Sequence, residues 1–474
     1  MVTRPRLAAA LAASALALAA CGGSDDGSVS SDSGSAATES TSTTSSTATS
    51  DSTATGQVPA PPGGSVPGGG SVPGGGTPGG DAAGVDTGTG AYVLGDGEAL
   101  SGGTYTSSND DENAIRAEGD ITATLDEVTV EKTGGVASSN VASSFYGLNA
   151  AILALDGATL DINGGTVTAT TEGANGVFAY DGATINIAGT TIDVSGGNAG
   201  GIEVAGGANL YATVLTVNAT VKAAIRSDRG GGTLVVDGGT YTTSGSSGAP
   251  AIYSTADITV SNATLSANDS EAVVVEGLNS VTITDSAVTG NMSGTYGDDT
   301  SENIHNVMLY QSMSGDAETG TSSFTMSGGT LVSQNGDMFY VTNTDSVISI
   351  SNVGLTLANG TNLLVVAGND GSRGWGTAGA NGGIAEFDLS QQTATGDIVV
   401  DDISQLTMSI ADGSAYTGAI NTDGTTAATL SVTIDDSSTW TLTGDSYITE
   451  LNGTMDNVDL DGFTLYVDGA AVTS

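Results

Sequence analysis

A repeat constrains this chain more than any other feature. Gly157-Ala158-Thr159-Leu160 recurs as Gly182-Ala183-Thr184-Ile185 and as Gly207-Ala208-Asn209-Leu210, each 25 residues further on. The unit continues less strictly through Gly232-Thr233-Leu234, Asp257-Ile258-Thr259-Val260 and Ser280-Val281-Thr282-Ile283. Each repeat holds three short β-branched runs between Gly or Asn turns, such as Thr159–Ile162, Thr166–Thr170 and Gly176–Tyr180. Third runs recur as Ala224-Ile225-Arg226, Ala251-Ile252-Tyr253 and Phe339-Tyr340-Val341. A period of 20–50 residues marks a solenoid, in which no unit buries its apolar side alone. Three strands per turn, alternating apolar and polar, predict an all-β domain over 91–474: a right-handed parallel β-helix with three-strand coils of about 23–25 residues. Some 14 to 16 coils at about 4.8 Å each give a rod of roughly 70 Å. Proline usage agrees. Pro250 is the only proline after residue 90, and stacked strands need every backbone N–H. No stretch of this region carries a helical period. A β-sandwich array would leave the 25-residue phase without a reason.

The N-terminus reads as an export signal. Met1 to Arg6 carries two arginines and no acid, and Leu7 to Ala17 is an apolar run of Ala and Leu. The run is shorter than the roughly 20 residues a spanning helix needs, so it reads as a cleaved secretory segment. Leu18-Ala19-Ala20-Cys21 resembles the bacterial lipobox, and Cys21 is the only cysteine. The resemblance implies cleavage between Ala20 and Cys21, lipidation of the Cys21 thiol, and a membrane partner reached through that anchor. Several acyl chains, at about 0.8 kcal/mol per buried CH₂, hold more firmly than one. The implied location is the cell envelope, outside the cytoplasmic membrane. With Cys21 lipidated, no thiol remains for a disulfide, a metal or a nucleophile.

Residues 21–90 form the next segment. It is Ser/Thr/Asp-rich at first and then becomes a Pro/Gly repeat, Gly64-Ser65-Val66-Pro67-Gly68-Gly69-Gly70-Ser71-Val72-Pro73. Such composition buries too little apolar surface to offset its ordering entropy, so a disordered stalk is expected. A coil of this length reaches on the order of 45 Å.

At the other end, Ser438-Thr439-Trp440-Thr441-Leu442-Thr443-Gly444-Asp445-Ser446-Tyr447-Ile448-Thr449-Glu450-Leu451 resembles the closing segment of pertactin-like autotransporter passengers. The resemblance implies a solenoid cap around 437–474 and display at a cell surface, as in adhesins. This sequence departs from that pattern in having no barrel segment after Ser474. Trp440 reads as a core residue of the cap.

Charge limits the partners. The chain holds 53 acids against 8 Lys plus Arg, a formal net charge of −45. Nucleic acids and other polyanions need a positive groove, so they are excluded as partners. Six basic residues follow the signal segment: Arg116, Lys132, Lys222, Arg226, Arg229 and Arg373. The acids read as solvated outer-face and corner residues. No cofactor is expected. Ca²⁺ on an aspartate cluster is a weaker reading, since neither an EF-hand loop nor the Gly-Gly-x-Gly-x-Asp nonapeptide occurs.

An enzymatic reading has little to work with. The single histidine, His305 in Asn303-Ile304-His305-Asn306, does not match the Gly-His-Gly of polygalacturonase-like sites. Arg226-Ser227-Asp228-Arg229 is the one basic cluster and reads first as an exposed turn. The sequential pairs Asp110-Asp111, Asp298-Asp299, Asp401-Asp402 and Asp435-Asp436 point to opposite faces of a strand. No catalytic residue is assigned. Binding is better placed on inserts that break the period, at about 133–147, 291–305 and 367–383, because a rigid scaffold positions loop residues. The first two leave between a second and a third strand, the last from a different corner. Tyr296, Asp298, His305, Tyr310, Arg373 and Trp375 are the candidate contacts, with aromatics to stack on sugar rings and acids to accept hydroxyl protons. The lead expectation is therefore a non-catalytic adhesin or glycan-facing module, with surface proteins as other partners. A polysaccharide lyase or hydrolase is the alternative. Thr-x-Thr runs at Thr104, Thr166 and Thr240 raise ice binding as a third.

Overall fold

The computed structural model describes residues 86–295 and 303–472. Cys21, Ala20 and the 21–85 part of the expected stalk lie outside these, as do Tyr296 and Asp298. Residues 86–90 are described, and the strand Thr89–Val93 begins before the expected domain start at residue 91. The described chain is a parallel β-helix. Nearly every strand pairs in parallel with the strand one coil before and one coil after it. Thr159 pairs with Thr184 and Thr184 with Asn209, so the 25-residue repeat is one full turn.

Three ladders result. The first runs from the strand Ala99–Ser101 to Glu450–Asn452. The second begins at Thr104–Ser107 and passes through Thr166–Ala169 and Thr264–Asp269. The third is a separate 12-stranded sheet from Thr89–Val93 to Ile398–Val400. The first two join into one 22-stranded sheet because Ala208–Ala219 and Gly232–Ser246 run unbroken through their shared corner.

Period-2 alternation on every strand sends one set of side chains inward, where they stack in columns. Leu160, Ile185, Leu210, Leu234, Ile258 and Val281 form one such column, all at most 1 % exposed. Ile152, Val177, Ile202, Ile225 and Ile252 form another on the third ladder. Each fully buried aliphatic side chain contributes about 1.5–3 kcal/mol. Outward columns carry Thr, Asn, Ser and Asp. Asparagines there donate across the coil to aspartates, as in Asn186 Nδ2 to Asp161 at 2.7 Å and Asn218 Nδ2 to Asp193 at 2.8 Å.

The corner between first and second strands has one conformation throughout. Gly164, Gly189, Gly238, Asn262, Asp285, Gly328 and Asn352 all sit there with φ between 47° and 73°. Only Gly takes this left-handed region freely, with Asn and Asp next. Val214 occupies the same corner at φ 51° with its side chain 62 % exposed. A β-branched residue there is strained.

The C-terminal end is closed by chemistry the solenoid does not use elsewhere. Leu465–Val467 pairs antiparallel with Ala470–Val472 across an Asp468-Gly469 turn, both residues at positive φ, the sequence a two-residue I′ hairpin favours. Trp440 is fully buried, stacks on Tyr416 at 6.1 Å and donates from Nε1 to the Gly418 carbonyl at 2.9 Å.

One expectation is corrected. The 133–147 insert contains a helix, α1 (Asn140–Tyr146), capped by the Ser139 hydroxyl, which accepts from the Ala142 N–H, and by Gly147 at φ 74°. Two turns are too few to show a hydrophobic period. A further insert, around 311–320, also escaped the sequence reading.

Two stability predictions follow from the columns and corners. Val214→Asn relieves the left-handed strain and raises stability by about 1 kcal/mol, read as a higher urea midpoint. Tyr241 stands in an inward column with its hydroxyl buried and unpartnered. Tyr241→Phe removes that desolvated group and stabilises by about 1 kcal/mol, measured in the same way.

Candidate functional site

The outer face of the third ladder is unlike the other two. Its strands are three to seven residues long, and their outward side chains align one per coil. One column reads Phe178, Glu203, Arg226, Tyr253, Val274, Met308, Tyr340 and Val365. In the neighbouring column Glu276 lies beside Tyr310. On a bare solenoid both would face water. Here most are buried, because the inserts fold over them.

At the N-terminal side α1 covers Leu153, Phe178 and Tyr180, with Tyr146 edge-on to Tyr180 at 5.4 Å. At the C-terminal side the 367–383 insert lays Trp375 against Tyr310, ring centroids 4.8 Å apart. Asn381 fixes that loop by donating from Nδ2 to the Trp375 and Asn369 carbonyls, each at 2.9 Å. The Arg373 guanidinium lies 4.0 Å above the Trp375 ring. Together with Pro250, Tyr253 and Glu271 these residues line a cleft of about 90 Å³. Three of the residues chosen from sequence, Tyr310, Arg373 and Trp375, thus meet in one place. His305 does not join them. It opens the strand His305–Tyr310, is 1 % exposed, and holds Nδ1 at 2.6 Å from the Asn303 carbonyl, so it is not a solvent-facing contact.

Beneath the cleft floor, Glu276 accepts hydrogen bonds from the hydroxyls of Tyr253, Tyr310 and Ser312. Burial pushes the Glu276 carboxyl up, against the pull of the Ser312 and Tyr253 hydrogen bonds. Burial beside that carboxylate likewise raises both tyrosines well above their ordinary value.

Between the two covered regions lies a buried group of charges. Arg226 pairs with Asp228, and its Nε stands 3.4 Å from Glu203 Oε1 without the alignment of a hydrogen bond. Both Glu203 oxygens are buried with no hydrogen-bond donor. Lys222 donates from Nζ to the Ser144 hydroxyl of α1 at 2.9 Å. Arg229 lies 4.2 Å over the Phe145 ring and ion-pairs with Asp316 at 2.6 Å, so it joins α1 to the 311–320 insert. Burial opposes the Arg226 cation, but Asp228 and Glu203 outweigh it and hold its pKa above the usual value. Burial raises Glu203 to about 8, against the pull of Arg226, and lowers Lys222 to about 7, with Arg226 adding to the effect. Arg226 and Asp228 are therefore not the exposed turn expected from sequence. Two acids, Glu203 and Asp228, and two bases, Arg226 and Lys222, interact within this group and balance formally, which makes such burial tolerable.

Three of the four sequential aspartate pairs have a structural partner, and Asp298-Asp299 lies outside the described residues. Asp110 accepts from the Val136 N–H, Asp401 from the Gly368 N–H and Asp435 from the Asp412 N–H. Among the described residues no group of three or more His, Cys, Asp or Glu is placed to hold a metal ion, and no helix is long and apolar enough to cross a membrane. No family model matches this chain, and neither does any curated protein or solved structure.

Glu203 carries a pH prediction with a definite sign. An unfolded glutamate ionises near pH 4.3, whereas the folded one holds its proton to about 8. The stabilisation this proton provides is complete below the unfolded value and is lost as pH rises through about 8. The stability of the native protein relative to Glu203→Gln should therefore fall between pH 5.5 and 8.5. Urea midpoints of both proteins at pH 5.5, 7 and 8.5 test this, and a constant difference would refute it.

Proposed function

We propose that this protein is a lipid-anchored surface module whose β-helix binds a glycan on another surface without cleaving it. The observation that carries the reading is the meeting of Tyr310, Trp375, Arg373, Tyr253 and Glu271 at one cleft on the third ladder. Aromatic edges, one cation and one carboxylate are the groups that orient a sugar by stacking and hydrogen bonding. The lipobox-like Cys21 and the 21–90 stalk support presentation away from a membrane, in the manner of the adhesin passengers that 438–451 resembles. The acid–base groups nearest the cleft are packed on one another under the inserts, which favours binding over catalysis.

The test mixes the full-length protein with a panel of soluble polysaccharides and follows both co-elution and polymer size by gel filtration. Co-elution with polymer of unchanged size is expected, and Trp375→Ala should weaken it at least tenfold. Shortened polymer would overturn the non-catalytic reading in favour of a lyase or hydrolase. Absence of co-elution across the panel would overturn glycan binding.

A further inference from the structure

The first ladder carries a feature that the cleft does not explain. One outward column reads Thr124, Asp161, Asn186, Tyr211 and Val235, and the column beside it Asp126, Asn163, Ala188, Thr213 and Asp237. Tyr211 is 43 % exposed. Among the described aromatic residues only Phe463, at 40 %, is comparably open; the rest are buried or half-buried. Ala188 brings only a methyl group where its coil neighbours bring Asn163 and Thr213, so the surface sinks between them. The resulting trough holds about 310 Å³ and is lined by Asp161, Asn163, Asn186, Ala188, Tyr211 and Thr213, with Thr124 at its end.

The same coil bears the strained corner. Val214 keeps a 62 % exposed side chain at φ 51°, where neighbouring coils use Gly or Asn. Such a conformation is strained for a β-branched residue, and no packing compensates for it. Strain kept at one position of a regular scaffold points to use of the side chain placed there. Tyr211 and Val214 give this coil an exposed apolar ridge beside a polar trough.

Charge narrows the ligand. Arg226, Arg229 and Arg373 are engaged on the third ladder side, Arg116 pairs with Glu118 there, Lys222 bonds to α1, and Lys132 is fully buried. No Lys or Arg stands on the outward columns of the first ladder, so an acidic ligand would meet only acids and amides. A neutral sugar unit fits instead. Its apolar ring face suits the Tyr211 ring, and its hydroxyls suit the Asp161 carboxylate and the Asn163 and Asn186 amides. Tyr211 and Asp161 are two coils apart, about 10 Å at the spacing of a parallel ladder, the span of a disaccharide. All these groups sit on strands, so little ordering cost accompanies binding.

We propose that the trough at Tyr211 is a carbohydrate subsite for two consecutive neutral sugar units, separate from the Trp375 cleft. It rests on its own residues and on a different face of the solenoid, so it survives if the cleft binds nothing.

The test titrates the full-length protein by calorimetry with neutral tetrasaccharides: β-1,4-glucan, α-1,4-glucan, β-1,4-mannan and β-1,4-linked N-acetylglucosamine. At least one should bind. Tyr211→Ala should weaken that binding at least tenfold, Tyr211→Phe by less than threefold, and Trp375→Ala should leave the Tyr211-dependent part unchanged. Tyr211 is an exposed strand residue, so a circular dichroism spectrum and thermal midpoint near native confirm that the variants fold. Binding that responds only to Trp375→Ala would refute this subsite and retain the cleft. Binding that responds only to Tyr211→Ala would do the reverse. No binding by any tetrasaccharide, or equal binding by Tyr211→Ala, would overturn the proposal and leave the ridge as a contact for a protein partner.

Discussion

Everything in this molecule depends on hydrogen bonds that run along the solenoid axis rather than along the chain. Each strand gives its N–H and C=O groups to the coils before and after it, so a residue's neighbours are set by the repeat length. Because side chains alternate with a period of two, a one-residue slip would turn an aliphatic column out to water. The 25-residue phase, the left-handed corners and the nearly absent proline are three expressions of that single demand. A corner must reverse the side-chain phase in one residue, and a positive φ does so; Gly, Asn and Asp supply it at low cost.

The inserts convert a uniform rod into one with a distinct side. Without them the third ladder would present Phe178, Glu203, Arg226 and Tyr253 to solvent. With α1, 311–320 and 367–383 folded over it, that side acquires a second, shallow core. Cations are scarce in this chain, and most are spent there, each against a carboxylate, an aromatic ring or a hydroxyl. The rest of the surface is left to Thr, Asn, Ser and Asp, whose acids find neutral amide partners one coil away. The electrostatics and the topology thus assign the same face as special.

Sequence carried the fold a long way. The strands Thr159–Asn163 and Thr166–Ala169 match the runs Thr159–Ile162 and Thr166–Thr170 to within a residue, and Ile225, Ile252 and Phe339 are recognisable as third-strand equivalents. The site was only partly legible. Tyr310, Arg373 and Trp375 stood out as insert or near-insert residues, and they do converge. Glu203, Lys222 and Glu276 did not stand out. The register that lines up Glu203, Arg226 and Tyr253 was already implicit in the period, but a period describes which residues share a column and not which columns are covered. Coverage is decided by where inserts fold back, and α1 is too short and the 311–320 segment too polar to announce that. His305 failed for the same reason, since its place at an insert boundary said nothing about its burial.

The coils that begin at Gly157 and Gly182 share a 25-residue length and a left-handed Gly corner at φ 65–66°, and their ladder hydrogen bonds run only to adjacent coils. They are interchangeable parts. Duplicating or deleting such a 25-residue unit changes the rod by about 5 Å and leaves both ends, the hairpin at 465–472 included, untouched. Reach is therefore a quantity that the ladders can adjust in uniform steps through tandem gain or loss of sequence, without redesigning their strand pairing.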